Sequence, residues 1–319
     1  MSIRLITNSE VKSLFMCPKN HDLGYVRGLE PKRRKIYFDE GTAGHAALQS
    51  FYSGGTLEEA IGKFDEIYDN HMKSIAQYPE DHSKSIMKFM RVRALVTAYL
   101  QNVAQEDMKK YDTSHVEEEF VVPILDPSGK PMEGVAFAGK LDGIWTEREG
   151  NKVSMVVEHK FYSGFNETDN VMYLDQQVTL YALAAAIKFG VKVPVTVYNV
   201  CVKPRNERTQ KETQEEFFYR ILELVSDKKN KNTYFKRIPV TRGPQHFRLA
   251  HEILYNAALI ITGQKKVPYL YRNVGDHCLW LCPFKPICIE EDPRTLEQLY
   301  KKKDKRHPEL EVKEEWDVA

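Results

Sequence analysis

The sequence has no apolar run that approaches the length of a membrane span. Its first residues, Met-Ser-Ile-Arg-Leu-Ile-Thr-Asn, lack the apolar core of a signal peptide. These absences lead us to expect a cytoplasmic protein with no membrane partner, in a compartment where thiols stay reduced. Charge of one sign is scarce too. Forty-six Lys and Arg against 45 Asp and Glu leave a net charge of +1, so any nucleic-acid contact must come from local basic patches. No Gly-x-x-x-x-Gly-Lys-[Ser/Thr] phosphate loop is present, which excludes an ATP-driven motor within the chain. No Gly-x-Ser-x-Gly elbow is present, nor any internal repeat or low-complexity tract.

What remains is ordinary globular material: 319 residues, 42% apolar and 29% charged, enough for a sizeable core. Only five cysteines occur, and Cys278, Cys282 and Cys288 fall within eleven residues. In a reducing compartment such a cluster reads as metal ligation before disulfides. A tetrahedral or cubane site wants four ligands. Cys17 is the best fourth candidate and His277 a substitute, while Cys201 sits in a strand pattern and reads as an inert core thiol. The donors fit zinc or an iron–sulfur cluster. Zinc ligands usually come as two close couples, so one distant Cys joined to a triplet leans toward iron–sulfur. A crosslink from Cys17 to the triplet would staple the N-terminal helix to the C-terminal segment, worth about 5 kcal/mol in chain-entropy terms.

In chain order, residues 8 to 16 predict a short helix. Residues 31 to 35 are a basic loop, and Gly41 to Leu48 have small residues at helical spacing around His45. Thr56-Leu57-Glu58-Glu59 is a capping box opening a helix to about 75, and a second long helix is expected from about Ser83 to Tyr111. Strand patterns follow over Val116 to Leu125 and Val135 to Trp145. A polar loop is expected over Phe161 to Asn170, a helix over Val171 to Phe189 with Gly190 at its left-handed cap, and a strand over Val195 to Val202. Gln214 to Val225 reads as helix, Thr233 to Val240 as strand and Pro244 to Ile261 as helix. From Glu290 onward the sequence is highly charged, and its end, Lys301 to Ala319, predicts a solvated or frayed tail.

The chemistry concentrates between Asp142 and Lys160. Two apolar strands flank a polar turn at Glu147 to Lys152, a hairpin signature. Glu158 and Lys160 are two apart on the second strand, so they share a face, with Met155 and Val157 on the other. Asp142 ends the first strand, where the hairpin can bring it opposite Glu158. Two carboxylates beside a Lys suit a divalent cation and an activated water, and the Lys can stabilise charge on a phosphate. Taken alone the stretch is bland, since surface hairpins often carry Asp, Glu and Lys.

In company it is less so. His45 within Gly41 to Leu48, Gly139-Lys140-Leu141-Asp142, Glu158-His159-Lys160, Gln177-Val178-Thr179-Leu180-Tyr181 and the split set Cys17, Cys278, Cys282 and Cys288 stand in one order. Together they resemble the PD-(D/E)XK nuclease superfamily. The resemblance extends to its RecB-like exonuclease branch with an iron–sulfur cluster, which includes AddB-type nuclease domains, CRISPR-associated RecB-like exonucleases and stand-alone phage members. It implies an α/β fold: a restriction-endonuclease-like core with a central mixed β-sheet flanked by helices. An N-terminal helical region and a C-terminal segment would be joined by the cluster. One nuclease domain would cover about 1–290 (helical to about 112, catalytic sheet 113–262, cysteine segment 263–290), with a charged tail at 291–319.

By the same resemblance, Asp142 and Glu158 would hold Mg²⁺ or Mn²⁺ with the His159 backbone carbonyl, and His45 would be a further ligand. Lys160 would position or activate the attacking water, and Gln177 and Tyr181 would orient the DNA and the lysine. The four cysteines would bind a [4Fe–4S] cluster, with zinc as the lesser alternative. The implied activity is metal-dependent DNA exonuclease action on single-stranded ends, in recombination, repair or replication, with a separate helicase or recombinase as partner. Lys32, Arg33, Arg34, Lys35, Lys203, Arg205 and Arg208 would track the strand, giving salt-dependent affinity. The rival expectation is a non-cleaving iron–sulfur DNA-binding or accessory protein on the same fold.

Overall fold

Thr56 starts a helix for a local reason. Its hydroxyl accepts the Glu59 amide hydrogen and the Glu59 carboxylate accepts that of Thr56, satisfying two donors that a helix start leaves open. Thr213 and Glu216 repeat the device. The computed structural model describes residues 3–33, 36–150, 153–164, 172–190, 195–268, 271–280, 282–290 and 292–311. In chain order its first elements are β1 (Arg4–Ile6), α1 (Asn8–Met16), α2 (Pro18–His21), β2 (Leu29–Pro31), α3 (Ile36–Tyr52), α4 (Leu57–Ser74), α5 (Pro79–Tyr99) and α6 (Gln105–Lys110). Then come β3 (Tyr111–Leu125), β4 (Pro131–Glu147), β5 (Ser154–Tyr162), α7 (Gln177–Phe189), β6 (Val195–Val202), α8 (Gln214–Ser226), α9 (Lys231–Tyr234) and β7 (Phe235–Thr241). The last are α10 (Pro244–Ile261), α11 (His277–Trp280), α12 (Lys285–Glu290), α13 (Pro293–Leu299) and β8 (Tyr300–Lys302).

The chain groups into two compact units, each built from separated segments. One holds Arg34–Glu118 and Leu141–Arg242. In it β5 is the central strand, antiparallel to β4 and parallel to β6, and β6 is antiparallel to β7. This is a mixed sheet with helices on both faces, as a restriction-endonuclease-like α/β core requires. On one face, Val157 and Trp145 pack into a core with Leu48 of α3, Phe64 of α4, Phe89 and Leu95 of α5 and Phe217 of α8. On the other, Tyr198 and Val200 of β6 pack with Val178 of α7 and Val240 of β7. Adjacent residues of β5 therefore face different layers, which decides what each can touch.

The other unit holds Met1–Arg33, Glu119–Lys140 and Gly243–Ala319. Here β1 runs parallel to the 135–137 stretch of β4, and β2 pairs antiparallel with β8. Leu23, Leu29, Phe284 and Tyr300 form one apolar cluster, and Leu5, Ala136, Ala138 and Leu310 another.

Several expectations need correction. The end from Lys301 is not a frayed tail as far as it is described. It follows α13 as part of β8, and His307 and Leu310 are buried. Sparse anchors set among many charges hold it, and bulk composition hides them. Residues 312–319 lie outside the described residues. The helix expected from Ser83 begins at Pro79, whose missing amide hydrogen costs nothing at a first helical position. It is interrupted by a wide π turn at Leu100–Ala104. Residues 172–174 are helical, the run breaks at Asp175, and α7 begins at Gln177, whose amide hydrogen the Asp175 carboxylate accepts at 3.0 Å; Val171 lies outside the described residues. β5 runs on to Tyr162, and most of the polar loop beyond it lies outside the described residues. Gly190 does end α7 in the left-handed conformation, φ 67°. Among the described residues no helix is long and apolar enough to cross a membrane.

Candidate active site

Alternation along β5 turns Glu158 and Lys160 toward α7 and His159 the other way. Lys160 Nζ donates to Glu158 Oε1 and, at 3.3 Å, to Gln177 Oε1. Gln177 Nε2 donates to the same Glu158 oxygen at 2.7 Å. Gln177 is the first residue of its helix, so one amide side chain braces both the acid and the lysine. Tyr181, one turn on, is half-buried.

The hairpin sets Gly143 against Val157, which leaves Asp142 and Glu158 as the next residues across it. Asp142 Oδ2 accepts the His159 amide hydrogen at 2.6 Å, and Asp142 Oδ1 lies 3.5 Å from His45 Nδ1. His45 Nδ1 is also 3.9 Å from Glu117 Oε1. One atom from each of His45, Glu117 and Asp142 lies within 4.8 Å of the others, a spacing suited to a cation.

Glu117 went unnoticed in the sequence. Glu117-Glu118-Glu119 falls in the strand pattern from Val116 to Leu125, to which no chemistry is assigned. In the structure Glu117 has φ 53°, the left-handed region, inside β3, and is the one non-glycine with positive φ among the described residues. Such backbone strain collects at functional sites. A signal was present: three consecutive acids break the alternation expected of a half-buried strand.

The electrostatics suit a bound cation. Glu158 is 3% exposed. Burial, and then the Asp142 charge, push its carboxyl up to about 7, and Lys160 offsets this only in part. Its second oxygen, Oε2, is buried with no hydrogen-bond partner. Burial works against the charge on Lys160, but Glu158 and Asp142 outweigh it and raise its pKa, so the side chain stands as an ammonium. A divalent cation beside Asp142 and Glu158 relieves both the repulsion and the orphaned oxygen.

A family model described as the PD-(D/E)XK nuclease superfamily matches residues 6–289. The chain belongs to the PD-(D/E)XK nuclease superfamily. Nucleases of this superfamily use divalent metals and act on DNA. The nuclease is also similar to the solved structure titled "Crystal structure of SSO0001", at 10% identity and TM-score 0.33, over 79% of this chain and 84% of that one. No curated protein matches it.

Gly44 lets the His45 helix reach β5. A Cβ there would lie 2.4 to 2.8 Å from three ring carbons of Phe161, the residue after Lys160. Gly44→Ala in the nuclease is therefore expected to cost about 1–3 kcal/mol of stability and to weaken cation binding. Thermal melts and Mn²⁺ titration of the variant check both.

In the nuclease's other unit, Cys17 is buried at the end of α1, and Cys278, Cys282 and Cys288 are half-buried. Asn20 Nδ2 lies 3.5 Å from Cys282 Sγ. Burial pushes the Cys288 thiol up, and nearby Cys282 and Cys17 push it further. Cys278 Sγ is turned to the Asn273 carbonyl at 3.9 Å. Cys17, Cys282 and Cys288 are thus near enough to act on one another electrostatically. His277 is half-buried, its Nε2 without a hydrogen-bond partner. Cys201 is buried in β6 with its thiol pushed up by burial, an inert core residue.

The basic residues differ in surroundings. Lys203 is half-buried and paired with Glu40, its side chain 11% exposed, so little of its charge is left for a phosphate. Arg205 and Arg208 are exposed, bonded to the Ser163 and Glu212 carbonyls. Lys32 and Arg33 are exposed, Lys32 donating to the Glu297 carbonyl at 2.7 Å. Arg34 and Lys35 lie outside the described residues.

Proposed function

We propose that this nuclease is a metal-dependent DNA exonuclease that hydrolyses phosphodiester bonds from single-stranded ends. The observation that carries the reading is Glu158: a buried carboxylate, close to Asp142, braced by Lys160 and Gln177, with one oxygen unsatisfied. Asp142, Glu158, His45, the His159 carbonyl and Glu117 are the residues that hold the cation. A bound cation supplies Lewis acidity toward a phosphoryl oxygen and toward water. The imidazole in the set favours Mn²⁺ over Mg²⁺. The Lys160 ammonium donates to the charge that develops on the phosphate as the P–O bond breaks. Gln177 keeps that ammonium and Glu158 in fixed relation, and Tyr181 adds a half-buried ring on the same helix. Arg205 and Arg208 contribute exposed cations for the strand.

The preference for ends and for single strands rests on the resemblance to RecB-like exonucleases. So does the iron–sulfur assignment of Cys17, Cys278, Cys282 and Cys288. Zinc is the lesser alternative for the same cysteine set. We place the protein in the cytoplasm, where cluster thiolates stay reduced. A separate helicase or recombinase would supply opened ends in recombination, repair or replication.

Digestion of end-labelled single- and double-stranded DNA tests the reading, with anaerobically prepared wild type beside Lys160→Ala and with Mn²⁺, Mg²⁺ or chelator. The expected result is cation-dependent release of label from single strands, absent in Lys160→Ala. DNA binding without any cleavage by wild type would instead establish a non-cleaving accessory protein.

A further inference from the structure

β5 has a second face. Between Glu158 and Lys160, the His159 side chain enters the helical layer and is 3% exposed. Asn199, its register partner on β6, places Nδ2 at 2.8 Å from His159 Nδ1. Asn199 Nδ2 donates, so Nδ1 accepts and the ring proton sits on Nε2. The same Asn199 nitrogen donates to the Tyr99 hydroxyl at 2.7 Å. Tyr99 and Tyr52 hydroxyls are 2.8 Å apart, and the Tyr52 hydroxyl donates to Asp107 Oδ2 at 2.7 Å. Arg237 closes the chain with an ion pair to Asp107.

The rings add a clamp. Tyr52 stacks on His159, centroids 5.7 Å apart and planes at 16°. The His45 ring meets His159 edge-on, at 6.2 Å and 74°. Tyr52 and His45 both belong to α3, seven residues apart, nearly two full turns and therefore one face. The imidazole thus sits between two side chains of the helix that presents His45. Its own strand presents Glu158 and Lys160. A plain apolar side chain would fill the space but leave Asn199 without its acceptor in a buried network, where partial satisfaction is costly.

From this arrangement we infer that His159, Tyr52 and Asn199 are positioning residues that hold α3 and β5 at the spacing and rotation which form the cation site. The network acts from behind the strand, without touching DNA or cation through its side chains. The inference rests on the cation-dependent nuclease reading above. Outer-shell partners of this kind typically change metal affinity or activity by about 10–100-fold when removed.

The test compares wild type, His159→Ala, His159→Phe, Tyr52→Phe and Asn199→Ser by calorimetric Mn²⁺ titration. kcat and KM are then measured on single-stranded DNA, with thermal melts to establish folding. His159→Ala is expected to weaken Mn²⁺ binding about 10–100-fold and to lower kcat while KM for DNA stays. Tyr52→Phe keeps the stacked ring, loses the hydroxyl, and is expected to show a smaller shift of the same kind. His159→Phe restores part of the affinity because a ring again fills the clamp. Should His159→Ala not fold, Tyr52→Phe and Asn199→Ser decide the matter. Wild-type Mn²⁺ affinity and kcat in the folded variants overturns the positioning role and leaves the nuclease reading standing. A rise in KM alone overturns it as well. Wild type that neither binds Mn²⁺ nor cuts overturns the nuclease reading and this inference with it.

Discussion

Glu158→Gln is expected to lower cation-dependent DNA hydrolysis by about a thousandfold or more. Glutamine keeps the shape and the hydrogen-bonding reach toward Gln177 but lacks the charge that completes the cation site. A cation's electrostatic contribution is several kcal/mol, and each 1.36 kcal/mol is tenfold in rate. The same residue sets a pH dependence. In the folded, metal-free protein the Glu158 carboxyl is pushed up to about 7 from 4.5, by burial and then by Asp142. Between those values the unfolded chain has released a proton that the folded chain still holds. Stability is therefore full below about 4.5, falls as pH rises, and is lost above about 7, by at most about 3 kcal/mol. A cation that binds the ionised carboxylate reverses the trend. Melts at pH 5 and pH 8, in chelator and in Mn²⁺, check the sign, and Glu158→Gln should flatten the chelator series.

Glu10→Gln is expected to destabilise the unit that carries Cys17 by about 3–5 kcal/mol, the typical cost of breaking a buried charge pair. Glu10 lies on α1 and is fully buried. His21 Nε2 is 3.1 Å from its Oε1, His307 Nε2 is 3.3 Å from its Oε2, and Arg4 pairs with Oε1. Burial opposes its charge, but the hydrogen bond from His21, the adjacent His307 ring and the Arg4 guanidinium outweigh burial and hold the carboxyl well below the usual range. A depressed carboxyl contributes stability that is present above the unfolded value and lost as pH falls toward the folded one. Denaturant titration of wild type and Glu10→Gln at pH 7 and pH 4 checks both: the variant should be weaker at pH 7, with the gap narrowing at pH 4. Unchanged stability at pH 7 would show that the pair contributes nothing. The arrangement fixes α1 and α2 on either side of Cys17 through protein contacts alone. Cys17 is therefore held in place whether or not a cluster is bound.

The candidate site was legible where the chemistry is short-range. Glu158-x-Lys160 on one strand face follows from a period of two, and Asp142 across the hairpin follows from a turn between two apolar runs. Gln177 beside Lys160 was only implied by resemblance, since helix α7 and strand β5 are joined through residues that carry no pairing signal. Glu117 was hidden because three consecutive acids break strand alternation without saying which of them turns inward, and a backbone torsion at Glu117 re-aims it at His45 and Asp142. Lys203 counted as a free cation in the sequence, yet a carboxylate distant in sequence, Glu40, takes up its charge. The charged end from Lys301 reads as frayed because composition averages over the few anchors, His307 and Leu310, that bury it.

What the sequence determined by itself was the local order of the molecule. Capping boxes at Thr56 and Thr213, the left-handed end of α7 at Gly190, the alternation of β5 and the set of acids, lysine and cysteines available for chemistry are all set by neighbours within a few residues. Only the tertiary structure decided which of those groups meet. The depth of Glu158, the strained Glu117, the close approach permitted by Gly44 and the His159 clamp between Tyr52 and His45 depend on contacts between residues far apart in the chain. Burial and charge are properties of those surroundings, so the carboxyl pushed up to about 7 could be read only after the sheet and its helices had closed around it.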